Sequence, residues 1–339
     1  MSTEVLSNRA LNRAVLARQL LLKRSTLGLN PALDQVAGIQ NQYAPNGYIG
    51  LWSRLADFER AHLTKALEQR QVVQGTTLRA TIHLVSPEFF NLSNSAVREE
   101  RTTWWFRANR RNDQAEMRTI ALRIAAALQA GPRKRTELIK QLGLDAGTWN
   151  GALNFLDLIR VPPSGTWENR RADQYGIFLR EPLDPGQAQK EIVSRYLRAF
   201  GPASLQDTAT FLGLKPGIVK PLLVGYRSYR RGDGIELFDI DDGALPDPET
   251  DSPPRFLPPW EASLLVHARR SGILPEEYRP LIFNTKMPQS VPTFLIDGKV
   301  AGTWALDPND LRLHPYRKLD RRSASALDDE AERLRAFIA

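Results

Sequence analysis

Gly201-Pro202-Ala203-Ser204-Leu205-Gln206-Asp207-Thr208-Ala209-Thr210-Phe211-Leu212-Gly213-Leu214 has an earlier counterpart with the same internal spacing, Gly131-Pro132-Arg133-Lys134-Arg135-Thr136-Glu137-Leu138-Ile139-Lys140-Gln141-Leu142-Gly143-Leu144. In each, a Gly-Pro break precedes a short amphipathic stretch that ends in Leu-Gly-Leu. Thr136 and Ser204 are good N-caps for those stretches. A helix of period near 3.6 precedes each copy, at 117–128 and 191–200, and another follows it, at 146–159 and 216–224. Both copies then run into hairpin-like sequence. The first reads from Arg160-Val-Pro-Pro-Ser-Gly-Thr-Trp167 back to Tyr175-Gly-Ile-Phe-Leu179. The second reads from Tyr226-Arg-Ser-Tyr-Arg-Arg231 through Gly232-Asp233-Gly234 to Ile235-Glu-Leu-Phe-Asp-Ile240. Asp-Gly between two apolar-alternating runs is a strong short-range hairpin signal.

Helix, turn, helix, helix, hairpin is the order of a winged helix, and the N-terminal part reads the same way. Residues 11–23 are helical. Asn30-Pro31 opens a helix to about residue 40, with proline at the first helical position. Residues 59–70 form another helix, 72–79 and 81–85 a paired ribbon, and Ser86-Pro87 caps a helix carrying Phe89 and Phe90. Beyond Pro253 the pattern changes to short strands at 264–266, 281–283, 291–296 and 299–304, the last two joined by Asp297-Gly298. Such spacing suits a small antiparallel barrel or sheet. Residues 324–339 form an amphipathic helix with Leu327, Ala331, Leu334 and Ile338 on one stripe.

The expected fold class is therefore α+β: three tandem winged-helix units plus a small antiparallel β-barrel. The expected boundaries are 1–95, 96–180 and 187–241 for the units, 250–318 for the barrel and 320–339 for the terminal helix.

The 339 residues are 42% hydrophobic, normal for a globular protein, with no apolar run long enough to cross a membrane. The N-terminus lacks the basic and apolar regions of a secretory signal. With no cysteine, disulfides and thiolate catalysis are excluded, and the reducing cytoplasm is the expected compartment. The four histidines, His62, His83, His267 and His314, lack helical metal-ligand spacing, so neither metal nor cofactor is expected.

The net charge is +8, unevenly placed. Between Arg98 and Arg135 lie ten basic residues and four acids, with Trp104 and Trp105 among them; between Gly232 and Pro254 lie eight acids and no base. A basic face and an acidic face suit a polyanion on the basic side. The candidate phosphate contacts are Arg107, Arg110 and Arg111, Arg170 and Arg171 on the second wing, and Arg227, Arg230 and Arg231 on the third. For any one cluster, a solvated arginine-rich surface is the plainer assignment. Trp104 and Trp105 can stack on exposed bases, although adjacent residues on a helix divide between core and surface.

The segment Val36-Ala-Gly-Ile-Gln40-Asn41-Gln42-Tyr-Ala-Pro-Asn-Gly-Tyr-Ile-Gly-Leu-Trp52-Ser-Arg-Leu55 carries two amides one residue apart, read as the end of a helix. Amides are poor acids and bases but hold water well. Spacing alone assigns such a pair to helix capping or local backbone bonds. Trp52, Arg79 and His83 are candidates for supporting a pocket beside it, and packing in the core is the plainer role for Trp52 and His83.

Four phrases extend the comparison: Gly50-Leu-Trp52-Ser-Arg-Leu, Leu78-Arg-Ala-Thr-Ile-His83-Leu-Val, Val161-Pro-Pro-Ser-Gly-Thr-Trp167 and Leu257-Pro-Pro-Trp260. Together with Gln40-Asn41-Gln42 they resemble, in order and over nearly the whole chain, the AlkZ/YcaQ family of DNA glycosylases. The resemblance implies three winged helices and a barrel curved into a C-shape around a DNA-sized channel. It implies Gln40 and Gln42 as catalytic residues of a monofunctional glycosylase acting on double-stranded DNA with alkylated bases, of N7-guanine type, bulky or crosslinked. It also implies a monomer associated with the nucleoid. Gln at both ends of the motif matches the AlkZ branch, whereas the YcaQ branch carries Asp at the second position. Asn41 departs from the usual aliphatic middle residue and needs partners if buried. A non-enzymatic winged-helix DNA-binding protein, or a member that binds lesions without cutting them, is the competing expectation.

Overall fold

The computed structural model describes residues 4–181, 183–265, 272–283, 290–307 and 310–339. A two-residue strand, β1 (Val5–Leu6), leads into α1 (Asn8–Arg18), which Ser7 starts by accepting from the Ala10 amide. Then come α2 (Leu29–Gln35), β2 (Ile39–Gln40), α3 (Ala44–Arg54), α4 (Arg60–Glu68), β3 (Val73–Thr76), β4 (Ile82–Val85) and the long α5 (Pro87–Ala108). The helix expected to reach residue 40 stops at Gln35. Ala37 and Gly38 turn the chain with φ of 57° and 80°, and a Cβ on Gly38 would stand 2.5 Å from Val85 Cγ1. Gln40 thus lies on a strand, not at a helix end.

The second block comprises α6 (Gln114–Leu128), β5 (Arg133–Lys134), α7 (Arg135–Leu142), α8 (Ala146–Ala152), β6 (Leu158–Arg160) and β7 (Gln174–Ile177). The third comprises α9 (Pro185–Phe200), α10 (Leu205–Leu212), α11 (Pro216–Leu222), β8 (Arg227–Arg231) and β9 (Glu236–Asp239). The sequence repeat is a repeat of structure. Gly143 and Gly213 end α7 and α10 with φ of 66° and 70°, a left-handed cap that favours glycine. The next amide, of Leu144 or Leu214, bonds back to the Ile139 or Ala209 carbonyl at 3.0 or 3.1 Å. Only the third block uses its expected N-cap: Ser204 and Asp207 form a reciprocal capping box, whereas Thr136 lies inside α7, which begins one residue earlier.

The hairpins do not stand apart. β2, β4, β3, β6, β7 and β5 form one six-stranded sheet, joined between the first and second blocks at Gln74↔Arg160 and Gly75↔Ile159. β1 adds in parallel to β8, so the N-terminus belongs to the third block's sheet, β1-β8-β9. α1 is tied to the same block by a buried ion pair: Arg18 reaches both oxygens of Asp239, at 2.6 and 2.7 Å.

The last segment contains β10 (Arg255–Leu257), α12 (Ala262–Leu265), α13 (Arg279–Ile282), β11 (Thr293–Ile296), β12 (Lys299–Asp307), β13 (Asp310–Pro315) and α14 (Arg321–Ile338). Two expected strands are helical turns. Around residue 264, the buried Glu261 carboxylate accepts the Ser263 amide and starts a turn; around 281, Pro280 lacks the ladder donor a strand needs. Val266 and His267 lie outside the described residues. The hairpin at Asp297-Gly298 forms as expected, with φ of 47° and 72°.

The expected barrel is an open sheet among the described residues, in the order β10-β11-β12-β13. Four strands are too few to close around filled side chains. Helices cover the sheet instead: Leu327, Ala331 and Leu334 of α14 share a core with Phe256, Phe294 and Trp304 of the sheet and with Tyr48, Leu51 and Trp52 of α3.

Candidate functional site

Extended backbone decides the geometry of the motif. On a strand, residues two apart share a face. Ile39 packs into the α2–α3 core and Gln40, next on the strand, is not part of it, whereas Gln42 lies in a bend just past the strand and is exposed. Asn41, 2% exposed, points inward with Ile39, and its Oδ1 accepts the Gly47 amide at 2.9 Å in the first turn of α3. A side chain at 47 would meet Asn41 Oδ1 and Leu84 Cδ2, each at 3.1 Å. The polar middle residue is therefore paired, with a glycine opposite it that gives it space.

Gln40 lies opposite His83 in the register of β2 and β4. The β3–β4 connection passes through Arg79 and Ala80, both left-handed, with φ of 54° and 57°. Non-glycine residues held there store strain of order 1–3 kcal/mol each and often mark functional sites. The turn aims the Arg79 guanidinium at three groups: Nη2 at Gln40 Oε1 and His83 Nε2, both 3.3 Å, and Nη1 at the Phe211 carbonyl, 2.6 Å, in the third block. Arginine only donates, so the Gln40 carbonyl must face it. Likewise Nε2 of His83 must accept, so its proton sits on Nδ1, which donates to the Thr81 carbonyl at 3.1 Å. Burial, reinforced by the neighbouring Arg79 charge, pushes the His83 pKa down to about 3, and burial lowers Arg79 to about 10. At neutral pH the imidazole is uncharged and the guanidinium charged.

Gln42 is exposed and opens into a cleft of about 410 Å³ between the first and second blocks. Trp105 supplies half-buried aromatic surface in front of the buried rings of Trp149 and Tyr175, and Arg101, Arg135 and Arg160 supply charge. Among the described residues, no Asp or Glu lines this cleft. Arg160 donates to Thr76 Oγ1 at 3.1 Å and to the Tyr175 hydroxyl at 3.5 Å. Arg101 donates to the Thr77 carbonyl and to Asn94 Oδ1, at 3.2 and 2.9 Å. Arg135 lies over the Trp149 ring, 5.8 Å from its centroid. Burial lowers the pKa of Arg160 and takes that of Arg101 to about 10. Among the described residues, none of these arginines, nor Arg79, has a carboxylate within ion-pair distance. Clustered, partly desolvated cations with neutral partners leave a site poised for an anion.

The other sequence candidates are scattered. Trp52 is 7% exposed, stacked on Phe337 of α14 with centroids 5.8 Å apart, and does not line the cleft. Arg170 reaches the hydroxyl of Tyr43, the residue after Gln42, at 3.2 Å. Arg107 lines a neighbouring cleft, and Arg110 and Arg111 are exposed beyond α5. Three are already paired: Arg171 with Asp173 at 3.5 Å, Arg227 with Glu4 at 3.6 Å and Arg231 with Asp233 at 2.6 Å. Arg230 is exposed. Arg101 and Arg135 belong to the basic run 98–135 without being individual candidates, and Arg160 lies outside it. The available signal was Arg160, a charge ending the apolar strand Leu158-Ile159.

A family model described as DNA glycosylase AlkZ-like matches residues 33–337 of this chain. The chain belongs to the AlkZ-like DNA glycosylase family. It is 21% identical over 349 aligned positions to the interstrand DNA cross-link repair glycosylase of Streptomyces sahachiroi, covering 93% of this chain and 92% of that protein. Its fold matches the solved structure of the Streptomyces sahachiroi DNA glycosylase AlkZ with a TM-score of 0.82, at 19% identity, over 98% of this chain and 97% of that one. The AlkZ-like fold is thus shared nearly end to end despite low identity. No helix among the described residues is long and apolar enough to cross a membrane.

Proposed function

We propose that this AlkZ-like chain is a monofunctional glycosylase that hydrolyses the N-glycosidic bond of alkylated purines in double-stranded DNA, of N7-guanine type, bulky or crosslinked. The observation that carries the reading is Gln42 opening into a cleft that holds aromatic rings and arginines but no carboxylate. An alkyl group on guanine N7 makes the base cationic, so breaking its glycosidic bond releases a neutral base. Such a leaving group needs no acid to protonate it. What remains is to place a water behind C1′ and to tolerate oxocarbenium character at the sugar.

Gln42 is assigned the water, its carbonyl accepting one of the water's hydrogens and turning a negative dipole end to the sugar. Gln40 is assigned the same site from the buried side, its carbonyl anchored by Arg79. Free guanidinium groups would oppose both a cationic base and a cationic sugar. Arg101, Arg135 and Arg160 therefore belong to phosphates, whose charge restores a neutral or negative field at C1′. Trp105, half-buried on the cleft wall, is assigned the extruded base. In this reading the three helix–hairpin blocks are winged-helix units, at 1–95, 96–180 and 187–241, curved around the duplex.

The test is base release from a duplex carrying a single N7-alkylguanine, under single-turnover conditions. Release by the purified protein, lost in Gln42→Ala with lesion binding retained, supports the reading. Tight lesion binding without release makes the chain a lesion binder instead.

A further inference from the structure

Ala80 and Arg101 line two clefts. One holds Gln42; the other, about 480 Å³, lies between α5 and the turn from α10 to α11. That volume falls in the usual small-molecule range of roughly 300–1,000 Å³. Trp104 lines it with 63% of its surface exposed, and among the described residues its ring has no aromatic or cationic partner. The buried side chains of Val97, Leu212 and Leu214 form its aliphatic floor. An aromatic ring left open beside aliphatic side chains is a platform for a flat apolar face.

The charge of the cleft narrows the ligand. Arg79, Arg101 and Arg107 all line it, the first two with only neutral hydrogen-bond partners. Glu100, the one carboxylate lining it among the described residues, is held by Lys215 at 2.7 Å. A nucleotide joins an apolar plane to an anion and so matches both features of the cleft. The shared Ala80 and Arg101 put this nucleotide next to the one whose base enters the Gln42 cleft.

We infer that the Trp104 cleft receives the nucleotide opposite the attacked one, its base stacked on Trp104 and its phosphate held by Arg107 and Arg101. The inference rests on the glycosylase reading. When a damaged base leaves the helix, its partner loses both its pair and part of its stacking, and extruding it then costs less. In a crosslinked substrate the same cleft would hold the tethered base of the second strand.

The test measures binding to uncuttable duplexes containing a tetrahydrofuran abasic analogue at the attacked position. In the first duplex the analogue faces cytosine. In the second it faces another abasic analogue. In the third it faces cytosine, but the neighbouring base on its own strand is removed. Stacking of one base on an aromatic side chain corresponds to about 5- to 150-fold in Kd. The wild-type protein is expected to lose that factor between the first and second duplexes and little on the third. Trp104→Ala is expected to bind the first as weakly as the wild type binds the second, with no further loss on the second, and Trp104→Phe to recover most of the difference. The exposed position leaves melting temperature unchanged as a control on folding. Equal loss by Trp104→Ala on all three duplexes, or a loss that follows the neighbouring base, overturns the inference. Absence of base release from alkylated DNA by the wild type overturns the glycosylase reading itself, which is a separate outcome.

Discussion

Arg79 Nη2 stands 3.3 Å from Gln40 Oε1, and this contact decides which end of the Gln40 amide remains free. A guanidinium cannot accept, so the amide oxygen faces it and the NH2 group is left for substrate or water. Gln42 carries no such constraint. The two glutamines are alike in sequence and unlike in environment, one 5% exposed and anchored, the other open to the cleft.

Their carboxylate variants should therefore differ. Gln42→Glu retains an acceptor for the water and keeps a substantial part of the base-release rate. Gln40→Glu gains an ion pair with Arg79 but loses its NH2, so it should melt no lower than wild type and release base more slowly than Gln42→Glu. Gln42→Ala removes the acceptor and should slow release by about 10²–10³-fold, with DNA affinity and melting temperature nearly unchanged. Single-turnover rates of the three variants, compared with their melting curves, check this; identical rates for the two glutamate variants would sink the division of roles.

His83 makes stability depend on pH in a definite direction. Burial and the Arg79 charge depress its folded pKa to about 3 from an ordinary 6.5, so the unfolded chain binds the extra proton first. The contribution is complete above about pH 6.5 and is lost as pH falls toward 3, at about 1.4 kcal/mol per pH unit. Urea titrations between pH 7 and pH 4.5 should show this slope in the wild type and a shallower one in His83→Gln. Parallel slopes would contradict the assignment.

Arg18 and Asp239 form a two-pronged pair, side chains 2% and 1% exposed, between α1 and the end of β9. Removing one partner strands a buried charge. Arg18→Met should cost about 3–5 kcal/mol in chemical denaturation, and the double variant Arg18→Met/Asp239→Leu should recover much of that loss.

Affinity for undamaged duplex should fall with salt. For about five phosphate contacts the slope of log K against log salt is roughly −4.5. Arg107→Ala and Arg230→Ala should each flatten it by about 0.9, whereas Arg231→Ala should change it less, because Asp233 already holds that side chain. Fluorescence anisotropy at four salt concentrations separates these cases.

No lysine lies in the Gln40–Gln42 motif, so the product should be an intact abasic strand, cleaved only by hot alkali or an abasic-site nuclease. Borohydride should trap no covalent adduct, and excess EDTA should leave the rate unchanged. A trapped adduct would require an amine nucleophile from elsewhere in the chain.

Several elements were legible because their signals are local. The Leu-Gly-Leu caps, the Ser204 N-cap, the Ser86-Pro87 helix start and the Asp297-Gly298 hairpin each follow from a few residues' backbone preferences. Errors came where a long-range partner overrode a local pattern. The helix expected to reach residue 40 ends early because Gly38 packs against Val85. The strand expected near residue 264 is a helical turn beside Glu261, whose carboxylate also binds Arg54.

The chain's order of helices and hairpins, its internal repeat and its Gln-x-Gln motif were properties of the sequence alone, since helix period, capping and turn chemistry act over a few residues. Tertiary structure decided the rest. It joined two hairpins into one sheet, buried Gln40 while leaving Gln42 open to a cleft, and brought Arg79 from the β3–β4 connection onto Gln40, His83 and Phe211. Among the described residues, it also kept carboxylates out of the cleft that holds Arg101, Arg135 and Arg160. Those relationships depend on strand register and on pairs of residues far apart in the chain, and a local pattern carries no information about which distant side chain will face it across a packed interface.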